Sequence, residues 1–428
     1  MSERKMIYLC LAHMSEAGME QKYVKEAFDT NWVVPMGPNV NAFEADLANM
    51  ANSKLDGSEP LDRKVVCLSA GTAAVHLALI ACGVKAGDEV LVQSFTFCAS
   101  SHPITYLGAK PVFIDSERDT WNMDPELLEK AIIERKEATG EYPKAIIPVA
   151  LYGMPYDCEK IMAIADKYGI PVIEDAAEGM GSRFNGQVLG TFGRFGVLSF
   201  NGNKMITTSG GGALICRTPE DANEIMWYAT QARDAYPYYE HTAIGYNYRM
   251  SNVCAGIGRG QMTVLDDHIA HHKHVQQLYR ELLADVPGVT LHDQPADPRY
   301  DSNFWLCAAT LDPSVKIVGQ ENAYKAVITS AVGGAAGVIK AVDSAVTDCQ
   351  PNDNVEALRV FMLNKKVECR PVWKPMHKQP VYADAVAYVN GVSEEIFKVG
   401  FCLPAGPYVT DEDVRYIVDC IKEAIVTE

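Results

Sequence analysis

Reactive side chains and small residues come together in three segments of the chain, each at the end of a short apolar run. The segments are SAGTAAVHLAL at 69–79, IEDAAE at 173–178 and SFNGNKMITTSGGGALI at 199–215. Each also has an ordinary structural interpretation, and none of the three identifies a chemistry by itself.

The first segment has the features of an anion-binding site. Gly71, Thr72 and Ala73 follow an apolar run and open a helix rich in small residues. The first backbone N–H groups of a helix have no partner within the helix, and together they can bind phosphate. An ordinary strand–helix turn explains the same residues and is the alternative for this segment.

The second and third segments carry a carboxylate and an amine. Asp175 ends an apolar run, where ligands of open α/β sheets bind, and a carboxylate there can keep a heterocyclic nitrogen protonated. The alternative for Asp175 is a helix cap. Ser199 and Lys204 precede a Gly-rich turn, where a desolvated lysine would be nucleophilic. The alternative for Lys204 is a solvated loop lysine.

Composition excludes several classes of protein. The chain has 428 residues, enough for two domains, with 48% hydrophobic and 22% charged residues, as in soluble globular proteins. No apolar run approaches the roughly 20 residues of a membrane helix, and the first residues lack a signal-peptide cleavage site. The twelve cysteines form no CxxC pair, which favours reduced thiols in the cytoplasm over disulfides or zinc. A net charge of −17 disfavours nucleic acid and anionic membranes as partners.

Alternating apolar runs and helical patterns must position the three segments. Near-continuous apolar strands between amphipathic helices predict a mainly parallel α/β sheet covered on both faces. The helical stretches GTAAVHLALIACG and DCEKIMAIADKYG each end at a glycine. The apolar runs are VVCL (65–68), VLVQ (90–93), PVFID (111–115), AIIPVA (145–150), PVIED (171–175), VLSF (197–200) and ALIC (213–216).

The pattern changes after about residue 265, where a polar, His-rich helix begins. We therefore predict a large ligand-binding domain over 1–265, which includes an N-terminal arm, and a smaller α+β domain over 266–428. Residues 313–356 contain the small-residue stretch AVGGAAGVIKAV and are interpreted as an insertion without an assigned role.

The order of these features resembles that of fold-type-I pyridoxal-phosphate enzymes, and in detail the DegT/StrS group of nucleotide-sugar aminotransferases. The resemblance spans roughly residues 35–380. It implies an α/β fold with a large, mainly parallel seven-stranded sheet domain and a smaller α+β C-terminal domain. It also implies pyridoxal 5′-phosphate as the cofactor and no metal. The matching pieces are GPNVNAFEADLA, SAGTAAVHLALIACGVKAGDEV, SFTFCASSHPITYLGAKPVFID, EDAAEGMGS, SFNGNKMITTSGGG, GYNYRMSN and RPVWKPMH.

The same resemblance implies a role for each residue of the cofactor site. Lys204 would hold the cofactor as a Schiff base and transfer protons, and Asp175 would pair with the pyridine nitrogen. Phe97 would stack on the ring, and Glu178 would lie near the ring hydroxyl. The phosphate would be bound by Gly71, Thr72, Ala73 and Ser199 and, from the neighbouring subunit, by Asn247 of GYNYRMSN.

The position of Asn247 predicts a homodimer with shared active sites. The stretch at 245–252 follows the last strand of the large domain, and Tyr246, Tyr248 and Arg249 beside Asn247 suit a buried interface. We expect that this loop cannot easily turn back to its own cradle at 71–73, whereas a two-fold partner can present it. The alternative is an exposed loop without contacts.

The segment CRPVWKPMHKQP at 369–380 resembles the substrate loop of enzymes that aminate C4 of UDP-4-keto-6-deoxy-N-acetylglucosamine. The opening segment, IYLCLAHMSEAGMEQKYVKEAFDTNWVVPMGPN, resembles their N-terminal arm. Trp32, Arg370, Trp373 and His377 are therefore the substrate candidates, and L-glutamate is the implied amino donor. VALYG at 149–153 departs from the VHLYG of many relatives. An aminotransferase acting at C3 of a dTDP-keto sugar is an alternative.

Two other activities fit the residues less well. Dehydratases of the same family carry His where this chain has Lys204, so the lysine argues against dehydration. A non-catalytic relative that binds the cofactor or a sugar nucleotide as a regulator would not need Lys204, Asp175 and Ser199 together, so the presence of all three argues against this role.

Histidines outside these segments are given structural interpretations. His268, His271, His272 and His274 have a spacing that suggests metal ligands, but they lie among Asp and Lys residues. We expect them to form a solvated helix face or a subunit contact. His76, on the helix of the first segment, is predicted to be a packed core residue.

Overall fold

The computed structural model describes residues 4–55, 57–324 and 349–426. Its helices are α1 (Met19–Asp29), α2 (Pro38–Asn52), α3 (Gly71–Ala81), α4 (His102–Tyr106), α5 (Pro125–Thr139), α6 (Cys158–Tyr168), α7 (Pro219–Ala229), α8 (Asn252–Met262), α9 (Leu265–Leu283), α10 (Asp353–Asn364), α11 (Val392–Val399) and α12 (Asp411–Ala424). Its strands are β1 (Lys64–Leu68), β2 (Glu89–Gln93), β3 (Lys110–Ile114), β4 (Ile146–Ile147), β5 (Ile173–Asp175), β6 (Arg183–Phe184), β7 (Gln187–Val188), β8 (Phe195–Ser199), β9 (Gly212–Cys216), β10 (Val289–Leu291), β11 (Tyr300–Asp301), β12 (Cys307–Leu311), β13 (Arg370–Pro371), β14 (Ala387–Tyr388) and β15 (Gly400–Leu403).

Seven strands of the first 265 residues form one large sheet. Two four-stranded sheets, β14-β3-β2-β4 and β5-β8-β9-β1, meet through the parallel bridges Ile146–Val172 and Val149–Asp175. The resulting order is β3-β2-β4-β5-β8-β9-β1, with β14 added beside β3. In this sheet β9 runs antiparallel to β8 and β1, and the other neighbours are parallel. The predicted seven-stranded, mainly parallel sheet is confirmed.

The strands form where the apolar runs predicted them because helices cover the sheet on both faces. β9 is buried at all five positions, as expected for a strand without a solvent face. The two helical stretches predicted from glycine endings become α3 and α6. α6 ends at Gly169, whose φ of 67° is the left-handed conformation that glycine adopts without strain.

A second hydrophobic core lies in the C-terminal part of the chain. The sheet β10-β12-β15-β13 is antiparallel and packs with α9, α10 and α12. Ile7 of the N-terminal arm joins this core and pairs with Val367. β11 and β14 return to the large domain, where they pair with β6 and β3. The C-terminal α+β unit matches the fold prediction, and the boundary at 265/266 stays a prediction.

The insertion predicted at 313–356 falls partly outside the described residues, which exclude 325–348. On its near side Ile317 pairs with Ile425 after α12, and on its far side α10 begins at Asp353. Among the residues that the structure describes, no helix combines the length and apolar character needed to cross a membrane.

Candidate active site

The three segments singled out in the sequence, at 69–79, 173–178 and 199–215, meet at one edge of the large sheet. β1, β2, β5 and β8 run in the same direction, so their carboxyl ends lie together, and ligands of such sheets bind there. A cavity of about 200 Å³ opens at this edge. Its lining includes Gly71, Thr72, Phe97, Asp175, Glu178, Ser199 and Lys204. A larger and more open cavity of about 590 Å³, between Arg118 and Glu395, contains none of the predicted site residues.

The N-terminus of α3 provides the anion-binding end of the cavity. Its N-cap, Ala70, has no side chain that could satisfy the first N–H groups of the helix, so these remain available to a ligand. The backbone is drawn close here: a Cβ on Gly71 would lie 3.1 Å from the Cβ of Ser199, and one on Gly212 would overlap the backbone of 70–71. Gly71, Thr72 and Ser199 line the cavity, whereas Ala73 is buried beside it.

Asp175 forms the floor of the cavity at the end of β5. Its Oδ2 accepts a hydrogen bond from Ser100 Oγ at 2.6 Å, and its Oδ1 accepts one from Ala177 N–H at 3.1 Å. The side chain is almost completely buried, and this desolvation raises the pKa of the carboxyl, with Ser100, Ala177 and Lys204 acting in the opposite direction. A cationic ring nitrogen would be the natural partner for a carboxylate held in this way.

Lys204 reaches the cavity from the turn after β8. Its Nζ lies 3.3 Å from Glu178 Oε1 and 4.1 Å from the centre of the Trp305 ring. The second oxygen of Glu178 accepts a hydrogen bond from Tyr152 N–H at 2.8 Å. Burial raises the pKa of Glu178, and the positive charge of Lys204 opposes this shift. An amine is thus held between a carboxylate and an aromatic face, close to Asp175.

The mouth of the cavity is aromatic. Phe97 is 48% exposed and lies 5.3 Å, between ring centres, from Trp373 of the segment at 369–380. A neighbouring cavity of about 360 Å³ shares Thr96 and Phe97 with the first and is also lined by Trp373 and Lys374. Trp373 therefore borders the mouth of the cavity, and its role in substrate binding stays a prediction.

The other substrate candidates do not line either cavity. Trp32 is 40% exposed, and its carbonyl accepts a hydrogen bond from Asn252. Arg370 donates to Glu368 at 2.8 Å. His377 uses both ring nitrogens within the chain, toward Ser94 Oγ at 2.6 Å and Glu394 Oε1 at 3.2 Å. The substrate roles of these three residues stay predictions, and the contacts of His377 favour a structural role.

The loop at 245–252 runs beside residues 68 and 69, which lead into its own cradle, and whether a partner presents it stays a prediction. Tyr248 C=O accepts a hydrogen bond from Ser69 N–H at 2.8 Å, and Arg249 pairs with Leu68. The chain returns beside β1 after α7, so the loop lies next to the segment that leads into the cradle. The side chain of Asn247 is nevertheless exposed and is not part of the cavity lining. Its role in a partner's site stays a prediction.

The solvated face predicted for the histidines of α9 is wrong for two of the four. His268 and His272 are buried, and their Nδ1 atoms lie 3.1 Å from Met205 O and 3.2 Å from Phe304 O. The pattern failed because the polar neighbours lie on the other face of the helix. His274 is exposed and contacts Asp411. His76 is buried against Tyr246, as expected for a core residue.

Three residues of the site escaped sequence reasoning. Ser100 holds Asp175, Tyr152 N–H binds Glu178, and Trp305 covers Lys204. Ser100 and Tyr152 lie inside quoted motifs, SFTFCASS and VALYG, and their position just beyond strand ends was an available signal. Trp305 lies about a hundred positions after the lysine, and no spacing rule connects the two.

The residues of the cavity fit pyridoxal phosphate. Open helix N–H groups suit its phosphate, a buried carboxylate its ring nitrogen, an exposed aromatic ring its face and a lysine its aldehyde. The fold and the site together define a pyridoxal-phosphate-dependent aminotransferase of fold type I.

The family model described as the DegT/DnrJ/EryC1/StrS aminotransferase family matches residues 15–336 and 320–422, and the chain belongs to this family. It is an enzyme that transaminates a nucleotide-linked sugar with pyridoxal phosphate as cofactor.

Individual relatives align with nearly the whole chain. EpsN of Bacillus subtilis (strain 168) is 40% identical over 421 residues, covering 97% of this chain and 95% of that protein. GDP-perosamine synthase of Escherichia coli O157:H7 is 31% identical and covers 98% and 99%. A DegT DnrJ EryC1 StrS aminotransferase from Brucella abortus superposes with a TM-score of 0.78 at 24% identity, covering 95% of each chain. DesI, solved in the presence of its TDP-sugar product, has a TM-score of 0.77 at 23% identity, with coverage of 99% and 93%. The two solved structures support the fold.

Proposed function

We propose that this enzyme transfers an amino group from L-glutamate to C4 of a UDP-linked 4-keto-6-deoxy sugar that carries an N-acetyl group. The observation that carries the proposal is the convergence of Lys204, Asp175 and Glu178 in one cavity whose mouth is bordered by Trp373 of the substrate-loop segment. The overall exchange is balanced: glutamate becomes 2-oxoglutarate, and the keto sugar becomes an amino sugar.

The bound cofactor supplies an electron sink for the pair of electrons left at the donor Cα when its proton is removed. Asp175 would stabilise the positive charge on the ring nitrogen, and Ser100 fixes the orientation of that carboxylate. The amine of Lys204 would anchor the cofactor and, once displaced by the donor, would take the proton from the donor Cα and deliver it to the former aldehyde carbon of the cofactor, across the amine nitrogen. Glu178 holds the amine within reach during this transfer.

Neutral donors at the start of α3 would bind the phosphate of the cofactor, although the chain as a whole is negatively charged. The N–H groups at Gly71 and Thr72 and the hydroxyl of Ser199 would be the donors, and the dipole of α3 favours an anion at this end. Such local donors are needed because the chain as a whole carries a charge of −17. Phe97, which lines the cavity, would cover one face of the ring.

The sugar assignment rests on the segment at 369–380, of which Trp373 borders the site. A second candidate is a GDP-linked keto sugar, favoured by the 31% identity to GDP-perosamine synthase over nearly the whole chain. Amination at C3 of a dTDP-linked sugar is a third possibility.

A panel of keto sugars distinguishes these substrates. Purified enzyme loaded with pyridoxal phosphate is incubated with L-glutamate and UDP-, GDP- or dTDP-linked keto sugars, and 2-oxoglutarate formation is followed. We expect turnover with the UDP-linked N-acetylated 4-keto sugar at the highest kcat/KM. Preference for the GDP-linked sugar would establish the second candidate instead. L-Glutamine and L-alanine in place of glutamate test the donor in the same assay.

We further propose a cytoplasmic homodimer in which each subunit presents Asn247 to the other's phosphate site. Its exposed side chain, on a loop beside the cradle, supports this arrangement. A non-catalytic regulator that binds the cofactor is the remaining alternative. Glutamate distinguishes the two, because it bleaches the yellow colour of the loaded protein if the chain is catalytic and leaves it unchanged otherwise.

A further inference from the structure

Helix α9 contacts the turn that carries Lys204. His268 and His272 lie one helical turn apart on the same face of α9 and are 5% and 0% exposed. His268 binds the carbonyl of Met205, the residue directly after the lysine, and His272 binds the carbonyl of Phe304, directly before Trp305. The two histidines therefore hold the two backbone segments between which the amine lies.

A third hydrogen bond joins these two backbone segments. Trp305 Nε1–H donates to Asn203 O at 2.7 Å, and Asn203 directly precedes the lysine. The lysine turn is thus tied to the indole on one side and to α9 on the other. The indole, 1% exposed, presents its face to Lys204 Nζ at 4.1 Å, within range of a cation–π interaction.

The backbone before the indole is strained. Phe304 has a φ of 49°, a conformation that bulky residues adopt only where the surroundings enforce it. The restraints are visible on both sides of Phe304: Ser302 Oγ accepts its N–H, and His272 binds its carbonyl. Asn303 Nδ2–H donates to the carbonyls of Glu178 and Met180, which connects the same strained turn to the carboxylate beside the amine.

The histidines act in their neutral form. A carbonyl can only accept, so Nδ1 of each ring carries the proton in these bonds. Burial lowers the pKa of His268 and lowers that of His272 to about 3, so neither ring is charged at neutral pH. Among the described residues the Nε2 atom of His272 has no hydrogen-bond partner. Nδ1 is therefore the only ring nitrogen of His272 that is hydrogen-bonded there.

We propose that His268, His272 and Trp305 are positioning residues that hold the amine of Lys204 over the indole and beside Glu178. This inference rests on the proposed role of Lys204 as the residue that carries the cofactor. None of the three need touch the substrate, and each acts through the backbone or the ring face that borders the lysine.

The test compares variants that keep or remove the Nδ1–H donor. In asparagine an amide N–H is the same number of bonds from the backbone as Nδ1–H, so His272→Asn keeps the donor, whereas His272→Leu removes it. The same pair is made at His268. The matched control is His274→Leu on the exposed face of α9. The rate constant at which cofactor-free protein binds pyridoxal phosphate covalently is followed by its visible absorbance, without any substrate.

We expect the Leu variants to react about tenfold to a hundredfold more slowly, because displacement of a reacting group by about 1 Å has effects of this size. The Asn variants and His274→Leu should react at nearly the parent rate. Parent-like rates in both Leu variants would overturn the proposal, and so would Asn variants as slow as the Leu variants, since a hydrogen-bond donor would then not be what matters.

Two checks keep the result interpretable. Borohydride reduction and peptide mapping of the parent protein are done first. Reduced cofactor on another lysine would contradict the proposed function. With the cofactor on Lys204, the rates of the variants test the positioning proposal alone. If a Leu variant fails to fold by circular dichroism, Trp305→Phe replaces it. This variant keeps an aromatic face but lacks the N–H to Asn203 O, so slower attachment supports the proposal and a parent-like rate overturns it.

Discussion

The two ends of the candidate site are built differently. At the inner end Asp175 and Glu178 are 6% and 5% exposed, and every functional group there has a partner within the chain. At the outer end Phe97 is 48% exposed and lies beside Trp373, and the exposed side chain of Asn247 does not line the cavity. One chain therefore holds the groups around Lys204 in place, whereas the outer end is left open to substrate, and we propose that a second subunit adds Asn247 to the phosphate site.

The inner end itself contains an instructive pair of neighbours on β5. Asp175 points into the cavity, whereas Glu174 points to the opposite face, because successive side chains of a strand alternate. Glu174 is buried and accepts N–H groups of Gly190, Phe192 and Gly193 at 2.9, 2.6 and 2.7 Å. Two adjacent carboxylates thus face different surroundings, Asp175 the cavity and Glu174 a cluster of backbone N–H groups.

The largest effect is expected at the inner end, from Lys204→Ala. Transamination should be abolished, because no other residue at this position can bond to the cofactor and transfer the proton. The thermal unfolding midpoint should stay close to that of the parent, since the amine is held by one carboxylate and a ring face. Substitution of exposed Lys25, which pairs with Asp29, is the matched control. Borohydride-fixed cofactor on a lysine other than Lys204 would contradict the assignment.

Asp175→Asn is expected to lower the rate by on the order of 10²-fold or more, comparable to the loss of a key electrostatic contact. The neutral amide no longer favours a protonated ring nitrogen, although the cofactor can still bind. Single-turnover absorbance after mixing with glutamate measures this step. A rate close to that of the parent would show that this carboxylate does not serve the electron sink.

Subunit mixing tests whether the phosphate site is completed by Asn247 of a partner. Lys204→Ala and Asn247→Trp are each expected to be inactive, and after mild dissociation and reassociation about a quarter of parent activity should return. The reason is that half of the dimers are mixed and one of the two sites in each combines both intact residues. If mixed dimers form, as shown by tagged subunits, without any activity, the sites are not shared.

Glu174→Gln should leave the rate nearly unchanged and lower the free energy of unfolding by about 1–3 kcal/mol. The amide replaces one accepting oxygen with a donor group, so a buried N–H loses its acceptor. Urea unfolding measures the loss, and Asp175→Asn serves as the comparison. A fall in rate that equals that of Asp175→Asn would remove the distinction between the two carboxylates.

The smallest effect concerns pH and the cofactor-free protein. Burial raises the pKa of Asp175 above its value in the unfolded chain, so this group contributes stability at acidic pH that is lost as the pH rises through the raised value. Cofactor-free Asp175→Asn should therefore resist urea better than the parent at neutral pH, and the difference should shrink as the pH falls. An equal or greater sensitivity at neutral pH would contradict this sign.

Much of the fold could be predicted from the sequence. The apolar runs at 65–68 and 213–216 became β1 and β9, because a strand buried on both faces needs a continuous apolar run. Gly71, Asp175 and Lys204 were recognised because each lies within a few positions of a strand end, and strand ends in such a sheet converge at one edge. Patterns of this kind depend only on residues that are close together in the sequence, so they can be predicted without the structure.

Only the tertiary structure decided which distant residues complete the site. Trp305 contacts Lys204, His272 binds the carbonyl of Phe304, and Tyr248 binds Ser69. The partners in each contact are far apart in the sequence, so no spacing rule could have paired them. The polar neighbours of His268 even predicted the wrong face, since helix periodicity shows which residues share a face but not which face becomes buried. The order of the motifs and their resemblance to a family therefore indicated the chemistry, and the packing of α9 and the C-terminal segments against the sheet determined how the amine of Lys204 is held.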